Sequence, residues 1–197
     1  MEKASESKLL EKEIIEKRKN KMKEQYSTLA EGIYIHEDII TFERGDVLDV
    51  FSLMLPTSFD IMSEEIKNIK YTSKYAPPYL LSNEDFSIDL GFNIFADRTP
   101  KIPVLHLAQD IKGTLEKDQS TYDFQDMTSL QKVDGYCFDF FQTTLDTDLF
   151  HLMAFVRISG QIMQLTFNCV SELDIVTWKS IVVQMLESIE KYEKKER

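Results

Sequence analysis

The sequence predicts an α+β fold in which an antiparallel β-sheet is sandwiched between helices, with a charged helical arm before it and a long C-terminal helix behind it. Three observations predict this. Segments 86–95, 135–144, 149–158 and 161–169 are apolar or alternate at the period of a strand. The last three follow one another through Asp146-Thr147-Asp148 and Ser159-Gly160, which reads as consecutive hairpins. Helical patterns fall between groups of strands and not after every strand, so the alternation of a doubly wound parallel sheet is excluded. With 197 residues, 43% of them hydrophobic, the chain holds one core. It is too short for two full-sized domains at roughly 100–200 residues each.

Residues 1–24 are dense in Lys and Glu, and their few apolar residues include Leu9, Leu10, Ile14, Ile15 and Met22. Leu10, Ile14 and the stem of Arg18 share one helical face, and Glu13–Lys17 is a supporting i,i+4 pair. This composition predicts a solvated helical or disordered arm over 1–30, ahead of a single α/β domain over 31–197. Residues 33–43 read as two short strands broken at Glu37-Asp38, and Arg44-Gly45-Asp46 reads as a turn. The apolar run 47–56 is closed by Pro56, which cannot donate to a ladder. Ser63 with Glu64 and Glu65 is an N-cap followed by two acids in the positive first turn, and this helix must end near Tyr71, before Pro77-Pro78.

In 86–95, Phe86, Ile88, Leu90, Phe92 and Ile94 alternate with Ser87, Asp89, Gly91, Asn93 and Phe95, which predicts a half-buried strand. Thr99-Pro100 offers N-cap and N1 for a helix to about Lys117, with Val104, Leu107, Ala108, Ile111 and Leu115 facing inward. After the three hairpin strands, Ser171 with Asp174 resembles a capping box. The final helix is expected to run to about Tyr192, with Ile175, Trp178, Val182, Met185 and Ile189 on one stripe. Lys191, Lys194, Lys195 and Arg197 suit its negative end.

The formal charge is −11, unevenly placed. Segments 1–24 and 191–197 each carry +2, which leaves 11 basic and 26 acidic groups between them, a net of −15. A body this acidic repels phosphate backbones, so nucleic acid is not an expected partner. No stretch approaches the ~20 apolar residues of a membrane span. The first residues contain no apolar h-region, so no signal peptide is visible and a cytoplasmic location is expected, which a removed leader would change. Cys137 and Cys169 read as small buried hydrophobes.

His36, His106 and His151 lie far apart, with no metal-ligand spacing around them, and read as structural or surface histidines. Phosphate loops and nucleophile elbows are absent as motifs. Asp85, Asp89 and Asp97 read as a solvated acidic face. No catalytic residue, cofactor site or metal site is therefore expected. Aromatic residues concentrate in the last three strands, where core packing is the first expectation. Phe95 and Phe141 lie on the parity opposite to the main apolar or aromatic row of their strands, and are the candidate partner-binding residues.

This layout resembles the PsbP-like fold family, which includes the photosystem subunit PsbP, the DcrB-like proteins and a nuclear-import factor that binds the GTPase Ran. The matching stretches are VFSLMLPTSFDIM at 50–62, KYAPP at 74–78, and the ending of strand, Ser159-Gly160 turn, strand and long helix with MLESI at 185–189. The resemblance covers about residues 31–190 and implies an antiparallel sheet between helices in a family used mainly for binding and assembly. It supplies no active-site motif to carry over. The expected function is a non-catalytic protein-binding module: an adaptor, assembly factor or secretion chaperone whose protein partner carries a basic or hydrophobic segment. The alternative is a small-ligand binder or enzyme using a pocket between sheet and helix.

Overall fold

A computed structural model describes residues 2–71, 76–95, 102–118, 122–145, 147–170 and 173–192, with side chains from residue 12 onward. The arm is a helix, α1 (Glu2–Gln25), followed by a short antiparallel meander of β1 (Ser27–Thr28), β2 (Gly32–Ile35) and β3 (Asp38–Ile40). Leu29, within the segment assigned to the arm, is buried in the main core. The β2–β3 break falls at His36 and Glu37, both with left-handed backbone (φ 46° and 73°), as a two-residue hairpin turn requires.

β4 (Phe42–Val47) and β5 (Phe51–Pro56) form the next hairpin. Arg44-Gly45-Asp46 is therefore strand and not turn; the turn comes at Leu48 and Asp49, both at φ 55°. Gly45 has a packing role, since a Cβ there would meet Leu55 Cδ1 at 2.6 Å. β6 (Asp60–Ile61) leads into α2 (Glu64–Lys70), where the Ser63 hydroxyl caps the Ile66 N–H at 3.3 Å as expected. Then follow β7 (Tyr79–Ser82), β8 (Ile88–Phe95), α3 (Val104–Asp118), β9 (Tyr122–Phe124), β10 (Thr128–Ser129), β11 (Gly135–Thr143), β12 (Asp148–Ile158), β13 (Gln161–Val170), α4 (Ile175–Glu187) and β14 (Glu190–Lys191).

The main sheet is antiparallel in the order β10-β11-β12-β13-β8-β7-β6, with β9 also on the outer edge of β11. One face carries α3, whose Val104, Leu107, Ala108, Ile111 and Leu115 pack on Phe138, Phe155 and Ile162. The other face carries α4 together with the β4–β5–β14 ribbon, and holds the larger core. There Trp178 is 4% exposed and stacks on Phe167 at 5.8 Å.

Three expectations change. Phe86 stands outside β8, at φ 58° and 41% exposed, because it sits in the turn from β7. β8 is covered on both faces and not half-buried. α4 stops at Glu187, five residues before Tyr192. The Ser188 hydroxyl donates to the Met185 carbonyl at 2.6 Å and accepts the Met54 N–H at 2.9 Å, which turns the chain onto the edge of β5 as β14. The cap of α4 is Asp174, which accepts the Thr177 N–H at 3.1 Å. Asp97, the expected helix start at Thr99-Pro100, Asp146, Ser171, and the tail residues Lys194, Lys195 and Arg197 lie outside the described residues.

Candidate functional site

Strand register lines up one row of side chains across the α3 face of the main sheet, beyond the area α3 covers. Ser82 of β7 pairs with Asp89 of β8, Asp89 with Asn168 of β13, Asn168 with His151 of β12, and His151 with Phe140 of β11. The C-terminal end of α2 lies against this row. The Tyr71 hydroxyl donates to Asp89 Oδ2 at 3.0 Å, and the Lys70 ammonium pairs with the same oxygen at 2.6 Å. Ser82 donates to Asp89 Oδ1 at 2.8 Å, and Lys70 also donates to the Phe86 carbonyl. Asp89 is 1% exposed, which overturns its reading as part of a solvated acidic face. A carboxylate this buried requires several donors, and it has them.

The carboxylate sets the direction of the whole relay. Tyr71 must donate to Asp89, so its oxygen accepts from Asn168 Nδ2 at 3.0 Å. Asn168 Oδ1 then faces His151 Nδ1 at 2.7 Å, which places the imidazole proton on Nδ1. Burial and the neighbouring carboxylate push the Tyr71 phenol well above its usual range, so it stays a donor. Burial pushes the His151 imidazole down, against the Asn168 hydrogen bond, and favours the neutral ring. Gln142 Oε1 lies 3.1 Å from Nε2, the orientation that accepts from a protonated Nε2. The side-chain amide serves either protonation state by turning over: its NH2 donates to a neutral Nε2, and its oxygen accepts from an imidazolium. Phe140 stacks on the imidazole at 4.8 Å, which fixes the ring plane.

Above this row opens a cleft of about 550 Å³, with Phe86, Tyr122, Leu149 and Val170 among its apolar walls. Among the described residues its chemistry is that of an oriented histidine without an activated nucleophile. The Ser87 hydroxyl is held by Asn83 Nδ2 at 3.0 Å, and burial pushes the Cys169 thiol up to about 12. Among the described residues no group of three or more His, Cys, Asp and Glu is placed to hold a metal ion. Nor is any buried side-chain polar atom among them without a hydrogen-bond partner.

The structure does not bring Phe95 and Phe141 together. Phe95 pairs with Ile162 and packs on the α3 side, half-buried. Phe141 lies on the α4 side, half-buried, with its ring edge on Phe150 at 5.4 Å. The Asp89–Asn168–His151 row escaped sequence reasoning because its members are 17 to 79 residues apart and meet only through strand pairing. The local signal was a carboxylate flanked by Ile88 and Leu90 in the middle of a strand segment.

At the level of sequence, no family model and no curated protein matches the chain. Solved structures do. The Ran-binding protein Mog1p of Saccharomyces cerevisiae superposes with a TM-score of 0.56 at 9% identity, over 78% of this chain and 97% of its own. Cyanobacterial PsbP from Synechocystis gives 0.53 at 11% identity, over 82% and 98%. This chain has the PsbP-like fold. LpqN of Mycobacterium tuberculosis, described as involved in cell envelope biogenesis, shares it at a TM-score of 0.50 and 14% identity, over 85% and 99%. At such identities the PsbP-like fold carries architecture and not side-chain chemistry, and the chemistry of the His151 row rests on its own geometry. No helix among the described residues is long and apolar enough to cross a membrane.

Proposed function

We propose that the chain is a non-catalytic protein-binding module, an adaptor, assembly factor or secretion chaperone. The observation that carries this reading is the closed hydrogen bonding of the His151 row. A histidine whose two nitrogens face Asn168 and Gln142, with no activated nucleophile beside it among the described residues, is built to order a surface and not to drive a reaction. Its structural neighbours support it, since Mog1p is Ran-binding and LpqN is involved in cell envelope biogenesis. With −15 carried by residues 25–190, a partner with a basic segment is favoured. Phe95 and Phe141, on opposite faces, contact such a partner at two separate surfaces.

Cross-linking in the source cells followed by reconstitution from two purified proteins tests this. A stoichiometric complex whose association slows as salt rises to ~0.5 M, with little change in dissociation, is the expected result. A cross-linked candidate that forms no complex when purified overturns the reading. A second reading, a small-ligand binder, is favoured by the cleft itself. Its volume of about 550 Å³ and its apolar walls fit a ligand site. Magnetic resonance fragment screening on the full chain tests that reading, with shifts expected at the amides of 149–151 and 168–170.

A further inference from the structure

We propose that the cleft over the His151 row binds an apolar monocarboxylate, with His151 taking up a proton to become the counterion of its head group. The inference rests on the ligand-binding reading and gives that ligand a class. The cleft holds a fixed ion pair of Lys70 and Asp89, 2.6 Å apart, whose charges cancel. Among the described residues, the other titratable groups that line it are Tyr71 from the end of α2, Tyr122 from β9 and Cys169 from β13. Burial raises all three above their ordinary values, so each is uncharged near neutral pH. Among the described residues, His151 of β12 is then the side chain lining the cleft whose charge changes between about pH 5 and 8.

Geometry prepares that change. Nδ1–H is held by Asn168 Oδ1 at 2.7 Å, and the relay continues through Tyr71 to the Asp89 carboxylate. A positive imidazolium is therefore supported from its far side. Among the described residues Nε2 meets the Gln142 side-chain amide, at 3.1 Å. A carboxylate entering the cleft takes the place of the Gln142 oxygen as acceptor of the new Nε2–H, and its other oxygen accepts from the Gln142 NH2, which stays turned toward the ring. The proton comes from solvent or buffer acid and forms the Nε2–H bond, and the ligand itself keeps all its covalent bonds. The hydrocarbon tail lies along Tyr122, Leu149, Val170 and Phe86. An ammonium head group finds a prospective cation instead of an anion, since both Asp89 oxygens are already occupied.

The test is calorimetry of the full chain with octanoate, octan-2-one and octylamine, each in two buffers of different ionisation enthalpy. Octanoate is expected to bind with uptake of about one proton and a Kd that tightens about tenfold per pH unit as pH falls from ~8 to ~7. Octylamine is expected not to bind. His151→Gln should abolish the proton uptake, and Leu149→Trp, which fills the cleft, should weaken octanoate at least about tenfold. Octanoate binding without proton uptake, octylamine binding of equal strength, or no octanoate binding at millimolar concentration each overturns the proposal. If octan-2-one binds as well as octanoate, the cleft takes ligands but not this class, which separates the two readings. Should His151→Gln fail to fold, the proton count on the unaltered chain and the Leu149→Trp result still decide.

Discussion

Asp89 concentrates the electrostatics of the α3 face in one residue. Its carboxylate is held by Ser82, Tyr71 and Lys70 at 2.8, 3.0 and 2.6 Å, and replacing it strands all three partners. Asp89→Ala should cost about 3–5 kcal/mol in urea unfolding, the range for removing one side of a buried pair. His151 adds a pH dependence. Its folded-state pKa is depressed from 6.5 by burial, so the unfolded chain takes up a proton first on acidification. Stability is fully present above about pH 6.5 and falls as pH drops toward the folded pKa. A series of melts between about pH 7.5 and 5 should show this loss, and His151→Gln should flatten it. On the opposite face Trp178 lies between Phe59 at 6.1 Å and Phe167 at 5.8 Å. Trp178→Ala should cost about 3–5 kcal/mol. The native indole should emit at short wavelength, and a maximum typical of indole in water would count against its burial.

Among the elements, β8 shows how backbone space is used. Gly91 lies under Pro77, and a Cβ there would meet Pro77 Cγ at 2.6 Å and Thr166 Oγ1 at 2.5 Å. Pro77 is thereby seated directly on β8, two residues along the strand from Asp89, the acceptor of the Tyr71 hydroxyl. Gly91→Ala should destabilise by about 1–3 kcal/mol, the range for overpacking, because a proline ring yields little. The same substitution should shift the ring resonances of Tyr71, which a purely local clash would leave in place. α4 shows the converse, an element shortened by its surroundings. Its apolar stripe continues to Ile189, yet Ser188 and its bond to Met54 end the helix at Glu187.

For the whole molecule, the arm and the body differ in kind. Of residues 12–25 only Lys19 and Met22 are half-buried, and the Lys19–Glu37 pair at 2.9 Å is exposed. Removing residues 1–24 should therefore change the melting temperature by less than about 2 °C, since little apolar area leaves the protein. A large drop or loss of solubility would make the arm part of the folding unit. The body gathers its strength between α4, the β4–β5–β14 ribbon and the sheet, where most of the fully buried large side chains lie.

By itself the sequence determined what is periodic and local. It specified the hairpin strands β11 to β13, the Ser159-Gly160 turn at φ 52° and 80°, the Ser63 cap, and the inward faces of α3 and α4. Each follows from residues a few positions apart, whose sterics and burial pattern act through the local backbone. Tertiary structure alone decided what depends on register. A strand at Arg44-Gly45-Asp46, the early end of α4, and the placing of Phe95 and Phe141 on opposite faces all follow from which strand lies alongside which. The Asp89–Asn168–His151 row is the clearest case. Its chemistry comes from hydrogen bonds of 2.7–3.0 Å between side chains up to 97 positions apart, and a slip of one residue in any pairing would turn one of them to the other face.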